Sequence, residues 1–147
     1  SAAPAVDAIC RTPIGWIEQT PRHSSRHDHF IWLSPTGKTA YGIIRFSLPF
    51  PVGEDLALWG FMTAMKNSEG DSALISQQPD PRTGGIHFVA EGGPYLVCAM
   101  IVTEGFHGWA VYAGAYRNQP LNQDEMQLAL RARAHTELGL GADHPEK

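Results

Sequence analysis

The segment that decides the fold is residues 95–116, YLVCAMIVTEGFHGWAVYAGAY. It is the longest apolar segment of the chain, and it is rich in β-branched and aromatic residues. One glycine-bearing loop, Glu104 to Gly108, interrupts it. A continuous apolar run of this composition is typical of buried strands. We therefore predict two neighbouring strands at the centre of a sheet, joined as a hairpin.

Further strands are predicted on both sides of this hairpin. From His27 to Leu33 the side chains alternate, so that Phe30 and Trp32 share one face. A turn at 34–38 leads to a second strand at 40–48, which predicts another hairpin. Shorter strands are predicted at 9–16, 74–78 and 86–90. The short connections predict a mainly antiparallel sheet of about six strands.

Two amphipathic helices are predicted, at about 54–66 and 122–138. The apolar stripe of the first consists of Leu58, Phe61, Met62 and Met65. The stripe of the second consists of Met126, Leu130, Ala134 and Leu138. Asn122 and Glu125 have the spacing of a capping box at the start of the second helix. Helices of this kind need a sheet face to cover, so the chain is predicted to be an α+β domain.

The length of 147 residues fits one domain, predicted at 9–141, with a flexible lead-in at 1–8 and a disordered tail at 142–147. The net charge of −4 argues against a nucleic-acid partner, because such binding depends on clustered Lys and Arg. No stretch approaches the roughly 18 apolar residues of a membrane-spanning helix.

Two features of the sequence bear on the compartment. The start at Ser1, followed by small residues, fits either a recombinantly produced segment or the mature end of an exported protein. Cys10 and Cys98 allow one internal disulfide, or both are reduced core residues. Cys98 is in phase with Leu96 and Met100, which favours a packed position over a reactive one.

The sequence Pro13-Ile14-Gly15-Trp16 resembles the Pro-x-Gly-Trp opening of the PsbP-like superfamily. That superfamily includes the extrinsic photosystem II subunit, a Ran-binding nuclear import factor and small bacterial exported proteins. The resemblance covers roughly 9–138 through the order of strands and helices. It implies an α/β/α sandwich, a non-enzymatic accessory or binding role, and a periplasmic or extracytoplasmic location, with a cytoplasmic one as the alternative. No ligand-binding residue carries over.

A metal site is the most specific polar hypothesis. His27 and His29 point to the same side of an extended strand, about 7 Å apart. Such a pair can supply two zinc ligands, and the third would come from His23, His87 or His107. The alternative interpretation is a polar strand entrance with solvated histidines.

Aromatic residues suggest a contact surface for a protein partner or a small apolar ligand. Tyr112 and Tyr116 share a row with Ala110 and Gly114, so they flank a small-residue groove on one sheet face. In the structural interpretation, the C-terminal helix packs against this row. In the functional interpretation, a groove for a ligand or partner lies between the sheet and the helix. Phe106 and His107 are predicted to be exposed at the tip of the central hairpin.

No motif in the sequence amounts to an active site, and Gly-x-Ser-x-Gly does not occur. Two hypotheses follow. The first is a non-catalytic accessory or binding protein, bacterial and exported, that recognises a protein partner or a small apolar ligand. The second is a metal-binding protein or metal-dependent enzyme that uses His27 and His29.

Overall fold

A computed structural model describes residues 2–3 and 8–139. The predicted tail and most of the predicted lead-in lie outside the described residues. Within them the chain forms eleven strands and two helices. The elements are β1 (Ala2–Ala3), β2 (Ala8–Ile9), β3 (Ile17–Glu18), β4 (Arg22–His23), β5 (His27–Leu33), β6 (Thr39–Ser47), α1 (Glu54–Glu69), β7 (Ala73–Pro79), β8 (Ile86–Gly92), β9 (Tyr95–Glu104), β10 (His107–Tyr116), α2 (Gln123–His135) and β11 (Glu137–Leu138).

The predicted central hairpin is confirmed as β9 and β10, which pair from Tyr95 with Tyr116 to Glu104 with His107. The predicted loop at 104–108 is too long, because Glu104 and His107 still pair and only two residues lie between them. Gly105 takes a positive φ of 61°, which costs glycine little. The tight turn leaves Phe106 at the tip of the hairpin.

The main sheet is antiparallel and has eight strands rather than about six. Its order is β3-β5-β6-β10-β9-β8-β7, with β4 also paired to β5. β3 and β4 have two residues each, which is too short to give a periodic sequence signal. The predicted strand at 9–16 is wrong: only Ala8–Ile9 pairs, in a separate three-stranded sheet with β1 and β11.

Each face of the main sheet carries its own hydrophobic core. One core joins Trp32, Tyr41, Val111 and their neighbours to α2. The other joins Phe88, Ala99, Ile101 and their neighbours to α1. The predicted α+β class and α/β/α sandwich are therefore confirmed.

α1 extends three residues beyond its predicted end and stops at Gly70, whose positive φ of 94° is typical of a helix C-cap. Its predicted apolar stripe is confirmed. Leu58 is buried, and the remaining three stripe residues pack against the core on that side.

α2 ends three residues before its predicted end, because Thr136 is extended and β11 follows. The predicted stripe is therefore only partly right: Met126 is buried, but Ala134 is exposed and Leu138 belongs to β11. Ala129 and Ala132 complete the buried row instead. The N-cap is as predicted, since the side chain of Asn122 accepts a hydrogen bond of 3.1 Å from the backbone N–H of Glu125.

The two helices cover different halves of the sheet. α1 packs on β8 and β9, whereas α2 packs on β10 and β6 on the opposite face. On the α2 side, Met100 of β9 therefore lies at the margin of the helix and is only half-buried. This offset leaves space beside α2.

Candidate functional site

A solvent-open groove with a volume of about 840 Å³ lies beside α2. Its walls come from segments far apart in the chain. The α2 side supplies Leu128, Arg131, Ala132, Ala134 and His135, the segment after it supplies Thr136, Glu137 and Leu138, and the remaining walls are Arg11, Pro13, Arg82, Thr83 and Met100.

The loop that presents Arg82 is held by the buried carboxylate of Asp80, which is 5% exposed. Asp80 Oδ1 accepts a hydrogen bond of 3.0 Å from the Arg82 N–H, and Oδ2 lies 3.3 Å from both Thr83 Oγ1 and His87 Nε2. Burial, the largest influence, raises the pKa of Asp80. The Arg82 N–H and the nearby His87 and Arg82 charges outweigh it and set the pKa below its ordinary value.

Positive charge dominates the rim of the groove. Three arginines line it, against the single carboxylate of Glu137. Glu137 already forms an ion pair with Arg11. Among residues 8–139, no carboxylate lies within 4 Å of the Arg131 guanidinium. In a chain with a net charge of −4, the groove is a local concentration of cations.

Apolar side chains provide the rest of the surface. Leu128 is 40% exposed and Met100 is half-buried, so both remain accessible. Ala132 and Leu138 are buried residues of the same lining. The groove therefore combines an apolar floor with a cationic rim.

The predicted contact surface at Tyr112 and Tyr116 lies on the face of the main sheet opposite α2. Tyr112 belongs to the α1-side core, so α2 does not pack over Gly114 as the structural interpretation supposed. Tyr112 is 9% exposed and lies across Gly42, where a Cβ atom would overlap its ring. Tyr116 is exposed, and its ring centroid lies 5.7 Å from that of Tyr95.

His29 is half-buried and packs against Tyr112. Its Nε2 lies 2.6 Å from the Tyr112 hydroxyl oxygen, and the rings meet edge to face. Burial first, and then the charges of Arg22 and His27, lower the pKa of His29 to about 4. Burial also raises the pKa of Tyr112. The bond thus joins a neutral imidazole to a neutral phenol.

The structure does not bring the predicted zinc ligands together. His23 pairs with Asp28 and packs on Phe30, which places it on the face opposite His27 and His29. His27 Nδ1 lies 2.9 Å from Ser24 Oγ instead. The other two candidates for the third ligand, His87 and His107, contact Asp80 and Arg45. Within residues 8–139, no three His, Cys, Asp or Glu side chains are grouped so that they could hold a metal ion.

The hairpin tip presents Phe106 as an exposed side chain, 56% accessible. Its carbonyl accepts a hydrogen bond of 2.8 Å from the backbone N–H of Leu48, which fixes the tip to the end of β6. The adjacent His107 Nδ1 accepts a hydrogen bond of 3.1 Å from Arg45. Phe106 and His107 lie apart from the groove residues.

The two cysteines are unbridged in the structure. Cys10 is buried and Cys98 is half-buried, each on the α2-side core. Burial raises the pKa of both thiols, which favours the unreactive protonated form.

Comparison with known proteins locates the fold. No protein-family model matches the sequence, and no curated protein matches it. The structure is similar to the solution structure of cyanobacterial PsbP (CyanoP) from Synechocystis sp. PCC 6803, with a TM-score of 0.66 over 94% of this chain and 90% of that one. The chain has a PsbP-like fold.

The PsbP-like fold implied by the Pro13-Ile14-Gly15-Trp16 opening is confirmed. The structure explains these residues: Trp16 N–H donates to the Pro13 carbonyl across a turn in which Gly15 has a φ of 87°, and Trp16 is buried in the α2-side core. With a sequence identity of 10%, the similarity to CyanoP establishes the fold alone. The functional argument therefore depends on this chain's own groove.

Sequence reasoning missed the groove. Its arginines are isolated in the chain and belong to separate segments, so no motif connects them. The one available signal was Arg131 of α2, which no acidic residue follows or precedes at helical spacing.

Proposed function

We propose that this PsbP-like chain is a non-catalytic accessory protein that recognises a protein partner through the groove beside α2. The observation that carries the proposal is the combination of a solvent-open groove, a cationic rim and an accessible apolar floor. Protein interfaces pair an apolar centre with a polar rim in the same way.

A small apolar ligand suits this groove less well. Sites for such ligands are usually concave enough to bury most of the ligand surface, and their linings are predominantly apolar. Here three arginines and a histidine line an open groove, and they would stay solvated around an apolar molecule.

The buried polar groups support a binding role over a catalytic one. Asp80 organises its own loop, and the His29–Tyr112 pair lies on the opposite face of the sheet from α2. Neither faces the groove with an accessible nucleophile or base. Structural roles account for both perturbed groups.

A bacterial and exported location remains a prediction that rests on the family resemblance. None of the helices in residues 8–139 has both the length and the hydropathy that a membrane span requires. Reading the precursor sequence upstream of Ser1 tests the location directly.

Site-directed photo-crosslinking tests the binding function. A benzophenone amino acid replaces Leu128 in the groove, and the matched control replaces Leu74 on β7, a leucine with nearly the same exposure of 38%. We expect a discrete crosslinked partner protein from position 128 in cells of the source organism, and none from position 74. Equal crosslinking at the two positions, or none at 128, would contradict the proposal.

A further inference from the structure

Resting on the proposed function, we infer that the partner presents an extended acidic segment to this groove. Carboxylates of the segment meet Arg82 and Arg131, and its apolar side chains meet Met100 and Leu128. The inference specifies the chemistry of the partner, which the PsbP-like fold does not specify.

Charge complementarity is the first support. Arg131 has no carboxylate within 4 Å among residues 8–139. The Arg82 side chain is 81% exposed, and its Nε lies 3.9 Å from Asp80 Oδ1, too far for a hydrogen bond. Both guanidinium groups therefore keep donors for an incoming ligand. A planar guanidinium binds a carboxylate through two parallel hydrogen bonds, which makes carboxylates its preferred partners.

Preorganisation is the second support. Asp80 holds the backbone of the Arg82 loop through the bond from the Arg82 N–H, and the Gly84 N–H donates 2.9 Å to the Asp80 carbonyl. Arg131 lies in the interior of α2. Rigid backbone at both cations reduces the ordering cost of binding.

The dimensions of the groove fit a short extended segment. From Leu128 to His135 the helical wall is about 10 Å long, since an α-helix rises about 1.5 Å per residue. The three extended residues 136–138 that follow add up to about 10 Å of chain. A segment of about six residues in extended conformation matches this combined length at about 3.3 Å per residue.

Nucleic acid is a poorer match for the same cations. Binding of single strands combines a basic channel with aromatic side chains on which bases stack. No Phe, Tyr or Trp lines this groove among the residues that the structure describes. Alternating carboxylate and apolar side chains match the rim and floor better.

The test uses fluorescence anisotropy with a labelled, C-terminally amidated hexapeptide of alternating glutamate and leucine. The matched peptide has glutamine in place of glutamate. We expect the acidic peptide to bind and the glutamine peptide to bind at least tenfold more weakly, because charge-assisted hydrogen bonds are lost. Affinity should also fall as salt is raised from 50 to 300 mM, since exposed charges are screened. Equal affinity for the two peptides would overturn the inference.

Two charge reversals localise the site. Arg131→Glu should weaken binding of the acidic peptide about tenfold. Arg26→Glu changes the net charge equally but lies outside the groove on an exposed turn, so it should change binding less than about twofold. Equal effects of the two variants would show a non-specific charge interaction and overturn the inference. Circular dichroism of each variant confirms that it is folded.

Decanoate distinguishes a peptide from a small amphiphilic anion. It carries one carboxylate on an apolar chain, and we expect it not to displace the acidic peptide at concentrations equal to the peptide. Displacement would overturn the peptide assignment. A crosslink at Leu128 without any peptide affinity would leave the proposed binding function standing and reject only the acidic segment.

Discussion

The hydroxyl of Ser34 donates a hydrogen bond of 2.7 Å to the carboxylate of Glu125, 91 residues further along the chain. Thr36 adds a bond of 2.6 Å from its hydroxyl and one of 3.3 Å from its backbone N–H. Glu125 is buried at the start of α2. A single carboxylate therefore connects the helix to the β5–β6 turn and helps to hold α2, one wall of the groove, on the sheet.

Glu125→Ala should lower the free energy of unfolding by about 2–3 kcal/mol, because it leaves three hydrogen-bond donors of Ser34 and Thr36 without their acceptor, among them the buried Ser34 hydroxyl. Asp124→Ala is the matched control. It removes the neighbouring first-turn carboxylate, which is exposed, and should cost less than about 1 kcal/mol. Urea unfolding measures both. Similar losses for the two variants would contradict the role given to Glu125.

The same carboxylate predicts how stability depends on pH. Burial is the largest influence and raises the pKa of Glu125, but the hydrogen bonds from Thr36 and Ser34 together hold it below its ordinary value of 4.5. A group whose pKa is lower in the folded state stabilises the fold above its unfolded pKa, and this contribution is lost as pH falls through the folded pKa.

We therefore expect the stability difference between wild type and Glu125→Gln to be constant near neutral pH and to shrink below about pH 4.5. Urea unfolding at several pH values between 3 and 7 measures this difference. A difference that grows on acidification would mean that the folded-state pKa is raised instead.

Glu125 also shows what sequence can and cannot predict. Its spacing from Asn122 predicts the helix start, because capping is local, and the cap is present. In a capping box the Glu125 carboxylate would bond back to the N-cap backbone. Here it accepts hydrogen bonds from Ser34 and Thr36 instead. It bonds to the β5–β6 turn, and a contact between such distant residues has no local signal in the chain. The groove residues are separated in the same way.

His29 provides a second pH-dependent group, on the opposite face. Its pKa of about 4 lies below the ordinary 6.5 because the folded protein buries it as a neutral ring. Between these values the unfolded chain binds more protons than the folded one, so stability should fall as pH drops from 6.5 towards 4. His29→Gln should flatten this part of the profile. Direct NMR titration of the His29 ring would contradict the assignment if its midpoint lay at or above 6.5.

The position of Tyr112 explains the main error in the predicted site. Alternation along β10 correctly separates Tyr112 from Val111, but it does not say which face either helix covers. α2 packs on the Val111 face, since Trp109, Val111 and Ala113 complete its core. The choice depends on the packing of distant elements and not on the strand's own pattern.

Gly42→Ala should destabilise the protein by about 1–3 kcal/mol, because a Cβ atom there overlaps the ring of Tyr112, which is buried and hydrogen-bonded to His29. Gly60→Ala is the control with the opposite sign. No atom lies within 4 Å of its added Cβ, and alanine in the interior of α1 should stabilise by about 0.5–1 kcal/mol. Thermal and urea unfolding measure both variants. A neutral Gly42→Ala would show that Tyr112 can move without cost.

A comparison of Phe106→Ala with Arg131→Glu separates the groove from the hairpin tip. Phe106 is exposed, so Phe106→Ala should change the free energy of unfolding by less than about 0.5 kcal/mol. If the groove is the binding site, this variant should also leave crosslinking from position 128 unchanged, whereas Arg131→Glu should reduce it. Tyr116→Ala, on the face opposite α2, serves as a second exposed aromatic control. Loss of the crosslink in Phe106→Ala with normal stability would instead make the hairpin tip part of the partner interface.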